Sequence, residues 1–155
     1  MPKLEIGSKV PDFALPVTGG GTWRLKDAAG KKLVLYFYPR DMTSGCTREA
    51  QDFRDLGKAF RKSGTEVVGI SRDTVASHEK FKAKASLPFP LLADTDEKIC
   101  RLFDVIKQKS LYGRKYLGVE RSTFLIDGAG RLVQQWRNVR VPGHAEEVLE
   151  AARRL

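Results

Sequence analysis

Apolar and polar positions alternate along this chain so as to mark out short buried strands and amphipathic helices. The most informative stretch runs from Leu33 to Phe60. Leu33-Val34-Leu35-Tyr36-Phe37-Tyr38 is apolar without a break, the pattern of a central strand, about 32–38, covered on both faces. Pro39 stops it, and Asp41, Thr43, Ser44 and Gly45 supply a tight turn. Ala50, Phe53, Leu56 and Phe60 then recur at helical spacing, predicting a helix to about Lys62 that Ser63-Gly64 ends. Thr65–Ser71 reads as a second central strand. A helix between two such strands implies a right-handed crossover and a parallel pair.

The flanking pattern completes the order. Residues 1–12 read as extended, with Gly7 and Pro11 as punctuation. Phe13–Val17 and Thr22–Leu25 form a hairpin around Gly19-Gly20-Gly21, and 26–31 is a polar connection. A helix over 74–85, capped by Asp73 or Thr74, turns Phe81 and Ala85 inward. Pro88 and Pro90 keep 87–92 extended. Asp94 or Thr95 caps a short helix, 96–103, with Ile99, Leu102 and Phe103 as its stripe and Cys100 on or beside it. Residues 104–120 read as a long basic loop that turns at Tyr112-Gly113 and Gly118. Strands 122–126 and 131–136 are joined by the hairpin 127–130, and a last helix spans 144–154. This order predicts one α/β domain over 1–155, with an N-terminal β-hairpin and a mixed central sheet bearing helices on both faces: a thioredoxin-like fold.

Composition narrows the classes. With 155 residues, 41% hydrophobic and 30% charged, the chain can bury a real core. No apolar run approaches the roughly 18–20 residues that span a bilayer, so no membrane partner is expected. Met1–Glu5 lacks the apolar segment of a secretory signal, and the cytoplasm is the expected location. A formal charge of +9 raises nucleic acid or an acidic surface as partners. The basic residues are dispersed, however, with Lys107, Lys109, Arg114 and Lys115 the densest group. A solvated basic face is the plainer account, and no nucleic acid is expected. The triple glycine lacks the Lys-Ser/Thr pair and following helix of a phosphate loop. Asp94, Asp96 and Glu97 lack the Gly and terminal Glu of a calcium loop, so they read as helix-start charges.

The chemistry rests on two cysteines, Cys46 and Cys100. A cysteine taken blind is most often a small buried hydrophobe, and Cys100 fits that account. Cys46 sits in the first turn of a helix, among unpaired N–H groups at the positive end of the macrodipole, where the nucleophilic thiolate is favoured. In Pro39-x-x-x-Thr43-x-x-Cys46 a hydroxyl stands one turn before the thiol. It can donate to the thiolate and to an oxygen beside it. Pro39, with no N–H, can wall the pocket against water. A thioredoxin-type C-x-x-C is absent, because Thr43 stands where its first cysteine would be. A sulfenic acid is therefore the expected product.

Other readings remain open from the residues alone. A cysteine hydrolase needs a base beside Cys46. The two histidines are His78, expected to face solvent on a charged helix, and His144 at a helix start, neither with an obvious orienting acid. A non-enzymatic binding module would use Trp23, Trp136 and Tyr112, although packing is the usual fate of such aromatics. A thiol-disulfide relay would share the fold and Cys46.

The segment Tyr36-Phe37-Tyr38-Pro39-Arg40-Asp41-Met42-Thr43-Ser44-Gly45-Cys46-Thr47 closely resembles the active-site segment of peroxiredoxins, in particular the bacterioferritin comigratory protein or peroxiredoxin Q subfamily. The resemblance continues through Glu120–Ile126 and Val141-Pro142-Gly143-His144, nearly the whole chain. It implies a thiol peroxidase for hydrogen peroxide and organic hydroperoxides, without metal or organic cofactor, and a monomer. It makes Cys46 the peroxidatic cysteine, Thr43 the hydroxyl partner, Pro39 the shielding proline, and Arg121 the guanidinium that keeps the thiolate charged. By itself Arg121 would read as a strand-edge surface charge. Two positions depart from the pattern: Gln51 and Lys82 stand where relatives carry a resolving cysteine. The expectation is thus a one-cysteine mechanism with an external thiol, glutathione with glutaredoxin or thioredoxin, as reductant. The alternative makes Cys100 an unconventional resolving cysteine, after local unfolding around Cys46.

Overall fold

The computed structural model describes residues 4–155; residues 1–3, the start of the extended segment expected over 1–12, lie outside them. Residues 7–10 bond along 130–132 through Gly7 N to Leu132 O and Val10 N to Gly130 O. The N-terminal hairpin forms as expected from β1 (Ala14–Pro16) and β2 (Thr22–Arg24). The connection after it is not merely polar. A 3-10 turn at Leu25–Ala28 buries Leu25 and Ala28.

β3 (Lys32–Phe37) leads into α1 (Ser44–Asp55) and α2 (Gly57–Lys62). The single helix expected to Lys62 is therefore two. The break at Leu56 precedes Gly57, a poor helix former, and lets Phe53 and Phe60 meet at 5.9 Å between ring centroids. β4 (Thr65–Ser71) follows, then α3 (Val75–Ala85), whose Thr74 side chain caps the Ser77 N–H. β5 (Leu91–Ala93) precedes α4 (Lys98–Leu102). Asp94 caps α4 by accepting from Ile99 N and Cys100 N.

Residues 104–120 correct the expectation of a loop. β6 (Ile106–Leu111) and β7 (Arg114–Val119) form an antiparallel ribbon. Tyr112 (φ 51°) and Gly113 (φ 78°) are its two-residue turn, and a pair of positive φ values matches the twist of the strands. β8 (Ser122–Ile126), β9 (Leu132–Trp136) and α5 (His144–Arg154) close the chain.

The main sheet has the order β5-β4-β3-β8-β9. β3 pairs parallel with β4 and antiparallel with β8, the mixed sheet of a thioredoxin-like fold. Successive residues of a strand point to opposite faces, so β3 feeds two cores. Leu33, Leu35 and Phe37 join α4, the 3-10 turn and the N-terminal hairpin on one side. Val34, Tyr36 and Tyr38 join α1, α2, α3 and α5 on the other. Burying each such side chain contributes roughly 1.5–3 kcal/mol, which is why the six-residue run is apolar on both faces.

Among the glycines, Gly69 in β4 leaves the least room for a side chain. A Cβ there would lie 2.8 Å from Leu91 Cδ2 and 3.0 Å from the Tyr36 ring. Gly69→Ala is expected to destabilise the fold by about 1–3 kcal/mol. Urea unfolding of the two proteins measures this; equal midpoints would mean that the strand can shift to admit the methyl group.

Candidate active site

The site begins where β3 must end. Pro39 carries no N–H to continue the ladder, and the chain turns through Met42 (φ 68°) into Thr43, the extended N-cap of α1. The Thr43 carbonyl accepts from Thr47 N (2.9 Å) and Thr47 Oγ1 (2.7 Å). Cys46 is then the third residue of α1, among N–H groups without intrahelical acceptors. Its side chain is only 1% exposed.

Arg121 lies between β7 and β8 and reaches this turn. Its Nη2 lies 3.4 Å from Cys46 Sγ, and its Nη1 donates to Glu49 Oε1 at 2.7 Å. Cys46 and Glu49 are three residues apart on α1 and so share one face. A Cβ at Gly45 would sit 3.2 Å from Arg121 Nη2, so glycine there leaves room for the guanidinium.

Glu49 was not among the residues singled out from sequence. It is buried (1% exposed) and its Oε2 has no hydrogen-bond partner. Burial pushes its carboxyl from an ordinary 4.5 up to about 7, against the pull of Arg121. Burial also works against the Arg121 charge, but Glu49 and Cys46 outweigh it and the net shift is upward. One signal for Glu49 was available: an acid on the helix stripe that also carries Cys46, Ala50 and Phe53.

Thr43 and Pro39 flank the turn, Thr43 exposed and Pro39 half-buried. The Thr43 hydroxyl does not donate to sulfur as expected. It donates to Arg40 O at 2.9 Å, because that carbonyl lies within the same turn. Its oxygen lone pairs stay available to accept a hydrogen bond from a bound molecule.

His78 corrects another expectation. It is fully buried rather than solvent-facing, and it does have an acidic partner. Nδ1 pairs with Asp41 Oδ2 at 2.8 Å and Nε2 with Leu92 O at 2.8 Å. Asp41 also accepts from Tyr38 OH (2.6 Å) and Ser77 Oγ (2.8 Å), and its N–H donates to Asp73 Oδ2 (2.9 Å). Burial would raise the Asp41 carboxyl, but His78 and Tyr38 hold it below the ordinary value. The network ties the turn before Cys46 to β4, α3 and β5. His78 belongs to that scaffold and is not bonded to the sulfur.

His144 is also buried, with Nε2 2.8 Å from Thr123 Oγ1. Burial, then Arg121, lowers its pKa to about 4, so it is neutral near pH 7. Among the described residues neither histidine bonds Cys46, and a Cys-His hydrolase lacks its base. Cys100 lies in the core on the α4 side of the sheet, whereas Cys46 lies in the core on the α1 side. Burial, then the Asp94 carboxylate, holds the Cys100 thiol well above the ordinary thiol range. Gln51 and Lys82 are half-buried positions on α1 and α3.

Known proteins resemble this chain in sequence and shape. A family model described as the AhpC/TSA family matches residues 6–135. "Peroxiredoxin Bcp" of Xanthomonas campestris is 50% identical over 148 residues, covering 96% of this chain and 92% of that one. "Peroxiredoxin Bcp" of Bacillus subtilis is 50% identical over 147 residues, covering 95% and 94%. A solved structure of the Xanthomonas campestris bacterioferritin comigratory protein, described in terms of its alkyl peroxide reduction activity, superposes with a TM-score of 0.88 at 49% identity, covering 92% of this chain and 90% of that one.

The Glu49 environment carries a pH signature. Its folded value lies above its ordinary one, so between pH 4.5 and about 7 the folded chain keeps a proton that the unfolded chain releases. This group's contribution to stability therefore falls as pH rises through that window. Glu49→Gln cannot ionise and should remove the decline, on the order of 3 kcal/mol. Urea unfolding at pH 5 and pH 8 checks it; identical pH dependence in both proteins would mean that Glu49 titrates like an exposed acid.

Proposed function

This chain belongs to the AhpC/TSA family and is a peroxiredoxin, a thiol peroxidase; from that premise we propose that Cys46 reduces hydrogen peroxide and organic hydroperoxides by a one-cysteine mechanism. The observation that carries this is the Arg121 guanidinium 3.4 Å from the Cys46 sulfur, with the other cysteine in the opposite core.

The Cys46 thiolate attacks the terminal peroxide oxygen. An S–O bond forms, the O–O bond breaks, and the leaving alkoxide or hydroxide takes a proton from solvent. Charge that develops on the departing oxygen meets Arg121 and the open N–H groups of the first turn of α1. Such fixed donors need no reorganisation as the charge moves. Thr43 acts by accepting the O–H of the bound hydroperoxide, which its bond to Arg40 leaves it free to do. Pro39 screens the sulfur, and a side chain 1% exposed suits a small –OOH group. The alkyl peroxide activity described for the Xanthomonas campestris relative supports organic hydroperoxides as substrates.

The reductant must come from outside the chain. A Cys46–Cys100 disulfide would require one sulfur to leave its core and pass the edge of the sheet, and Cys100 is poorly disposed to ionise. Glutathione with glutaredoxin, or thioredoxin, supplies the thiol on this reading. On this reading the working unit is a monomer. Free cysteines suit a thiol-reducing compartment such as the cytoplasm. Among the described residues no helix is long and apolar enough to cross a membrane.

One equivalent of hydrogen peroxide should convert Cys46 to its sulfenic acid with no internal disulfide, read by mass spectrometry after thiol trapping. Cys46→Ser should abolish peroxide consumption and Cys100→Ser should retain it. A Cys46–Cys100 disulfide in the monomer would refute the one-cysteine version. Arg121→Gln should slow sulfur oxidation by about a hundredfold, measured by stopped-flow fluorescence; an unchanged rate would remove Arg121 from the mechanism.

A further inference from the structure

The β6–β7 ribbon stands outside the chemistry described so far. Residues 106–119 hold four basic side chains, Lys107, Lys109, Arg114 and Lys115, and no acid. Lys107 is paired with Asp104, but Arg114 and Lys115 have no acidic partner among the described residues. The ribbon also exposes large apolar side chains: Tyr112 is 96% exposed, Leu111 57%, Leu117 56% and Tyr116 47%. Charge and apolar surface thus coincide on a two-stranded element that covers no core of its own. Such a coincidence marks an interaction surface more often than idle polypeptide.

The base of the ribbon adjoins the site. β7 ends at Val119, two residues before Arg121. Lys109 Nζ donates to Val119 O at 2.7 Å, and its stem lies over Gly118 beside the Tyr116 ring. Burial, then the charge of Arg121, lowers the Lys109 pKa, with Cys46 acting in the opposite sense. Lys109 therefore shares an electrostatic neighbourhood with the reacting sulfur.

We propose that the β6–β7 ribbon is the docking surface for the reductant, and that the reductant is an acidic redox protein with two thiols. This rests on the one-cysteine reading, in which oxidised Cys46 must meet an outside thiol. Each strand has six residues, about 20 Å at the rise of a β-strand, which exceeds what a tripeptide thiol can cover. Uncompensated positive charge favours an acidic partner and disfavours a second copy of this chain, whose net charge is also +9. In the reaction, a partner thiolate attacks the sulfur of Cys46–SOH. An S–S bond forms, the S–O bond breaks, and hydroxide leaves as water with one proton. The partner's second thiolate then displaces the Cys46 thiolate, leaving the partner as its own disulfide. The partner's two thiols are oxidised, and sulfenic sulfur returns to the thiolate.

The test uses the full chain, with an acidic thioredoxin recycled by its reductase and NADPH as one reductant and dithiothreitol as the other. The variants are Arg114→Glu with Lys115→Glu, and separately Tyr112→Ser with Leu111→Ser. Thioredoxin-supported kcat/KM should fall roughly tenfold or more in the charge reversal, and added salt should slow the wild type but not that variant. Dithiothreitol-supported turnover and the rate of Cys46 oxidation should stay within twofold of wild type, which also shows that the variants fold. Unchanged thioredoxin kinetics, or an equal loss with dithiothreitol, overturns the inference. So does turnover by glutathione with none by thioredoxin. A dimer in light scattering, or DNA retention, that the variants abolish while thioredoxin kinetics stay unchanged overturns it in favour of that other partner. An internal disulfide would overturn the one-cysteine reading instead, and leave the ribbon's effect on thioredoxin kinetics to be judged by the same measurement.

Discussion

A guanidinium held between a buried carboxyl and a buried sulfur is the constraint on which this molecule turns. Removing charge from water costs several kcal/mol per ion unless partners replace the lost hydration. Arg121 meets that cost with Glu49 at 2.7 Å and Cys46 at 3.4 Å. Glu49 in turn is left with one oxygen unpartnered, and burial holds it near the point of protonation. The arrangement is therefore not a rigid ion pair of the ordinary kind. Glu49 and the sulfur compete for one cation, and a change of charge on either alters what the other receives. In the proposed mechanism, where the Cys46 thiolate is lost to oxidation and recovered, such a shared cation is a physical advantage.

The remainder of the fold keeps these three side chains in register. β3 delivers the turn, and Pro39 stops the strand at a fixed point. The Asp41–His78 network then fastens that turn to the ends of β4 and β5 and to α3. Its strength comes from satisfaction: each hydrogen bond uses a buried donor or acceptor that would be costly to leave unmade. The turn that leads into α1 is consequently anchored to the segment after β4, to β5 and to α3. In the proposed one-cysteine mechanism, an outside thiol reaches a sulfur 1% exposed by a local opening of that turn, of the kind folded domains readily sustain.

The central sheet also separates the two cysteines. Because β3 alternates its side chains between two cores, Cys46 and Cys100 lie on opposite sides of a five-stranded sheet. Cys100 is further fixed by Asp94, which caps α4 through the Cys100 N–H at 2.7 Å. Two thiols in one small chain thus lie in the cores on either side of the central sheet. The ribbon that follows α4 joins a core only at its base and exposes Leu111, Tyr112, Tyr116 and Leu117.

Much of this was legible in the chain itself. A strand apolar on both faces, a proline stop, a small-residue turn and a cysteine opening an amphipathic helix are local features, set by sterics and side-chain periodicity. So are the parallel crossover from β3 to β4 and the absence of a C-x-x-C pair. Contacts between distant residues were not legible by periodicity. Arg121 and Cys46 are 75 residues apart, Glu49 and Arg121 72, His78 and Asp41 37. Nothing local distinguishes a surface arginine from one aimed at a thiol; family resemblance, not spacing, pointed to it. His78 looked solvent-facing among lysines because its acid lies on another element. The ribbon looked like a loop because Lys and Ser interrupt its alternation and Tyr-Gly is a weak hairpin signal. The sequence by itself determined that Cys46 opens a helix just after a proline-stopped strand, since that follows from backbone geometry within a few residues. Only the tertiary structure decided which charges surround that sulfur and in which core Cys100 lies, because both depend on how the sheet brings remote segments together or holds them on opposite faces.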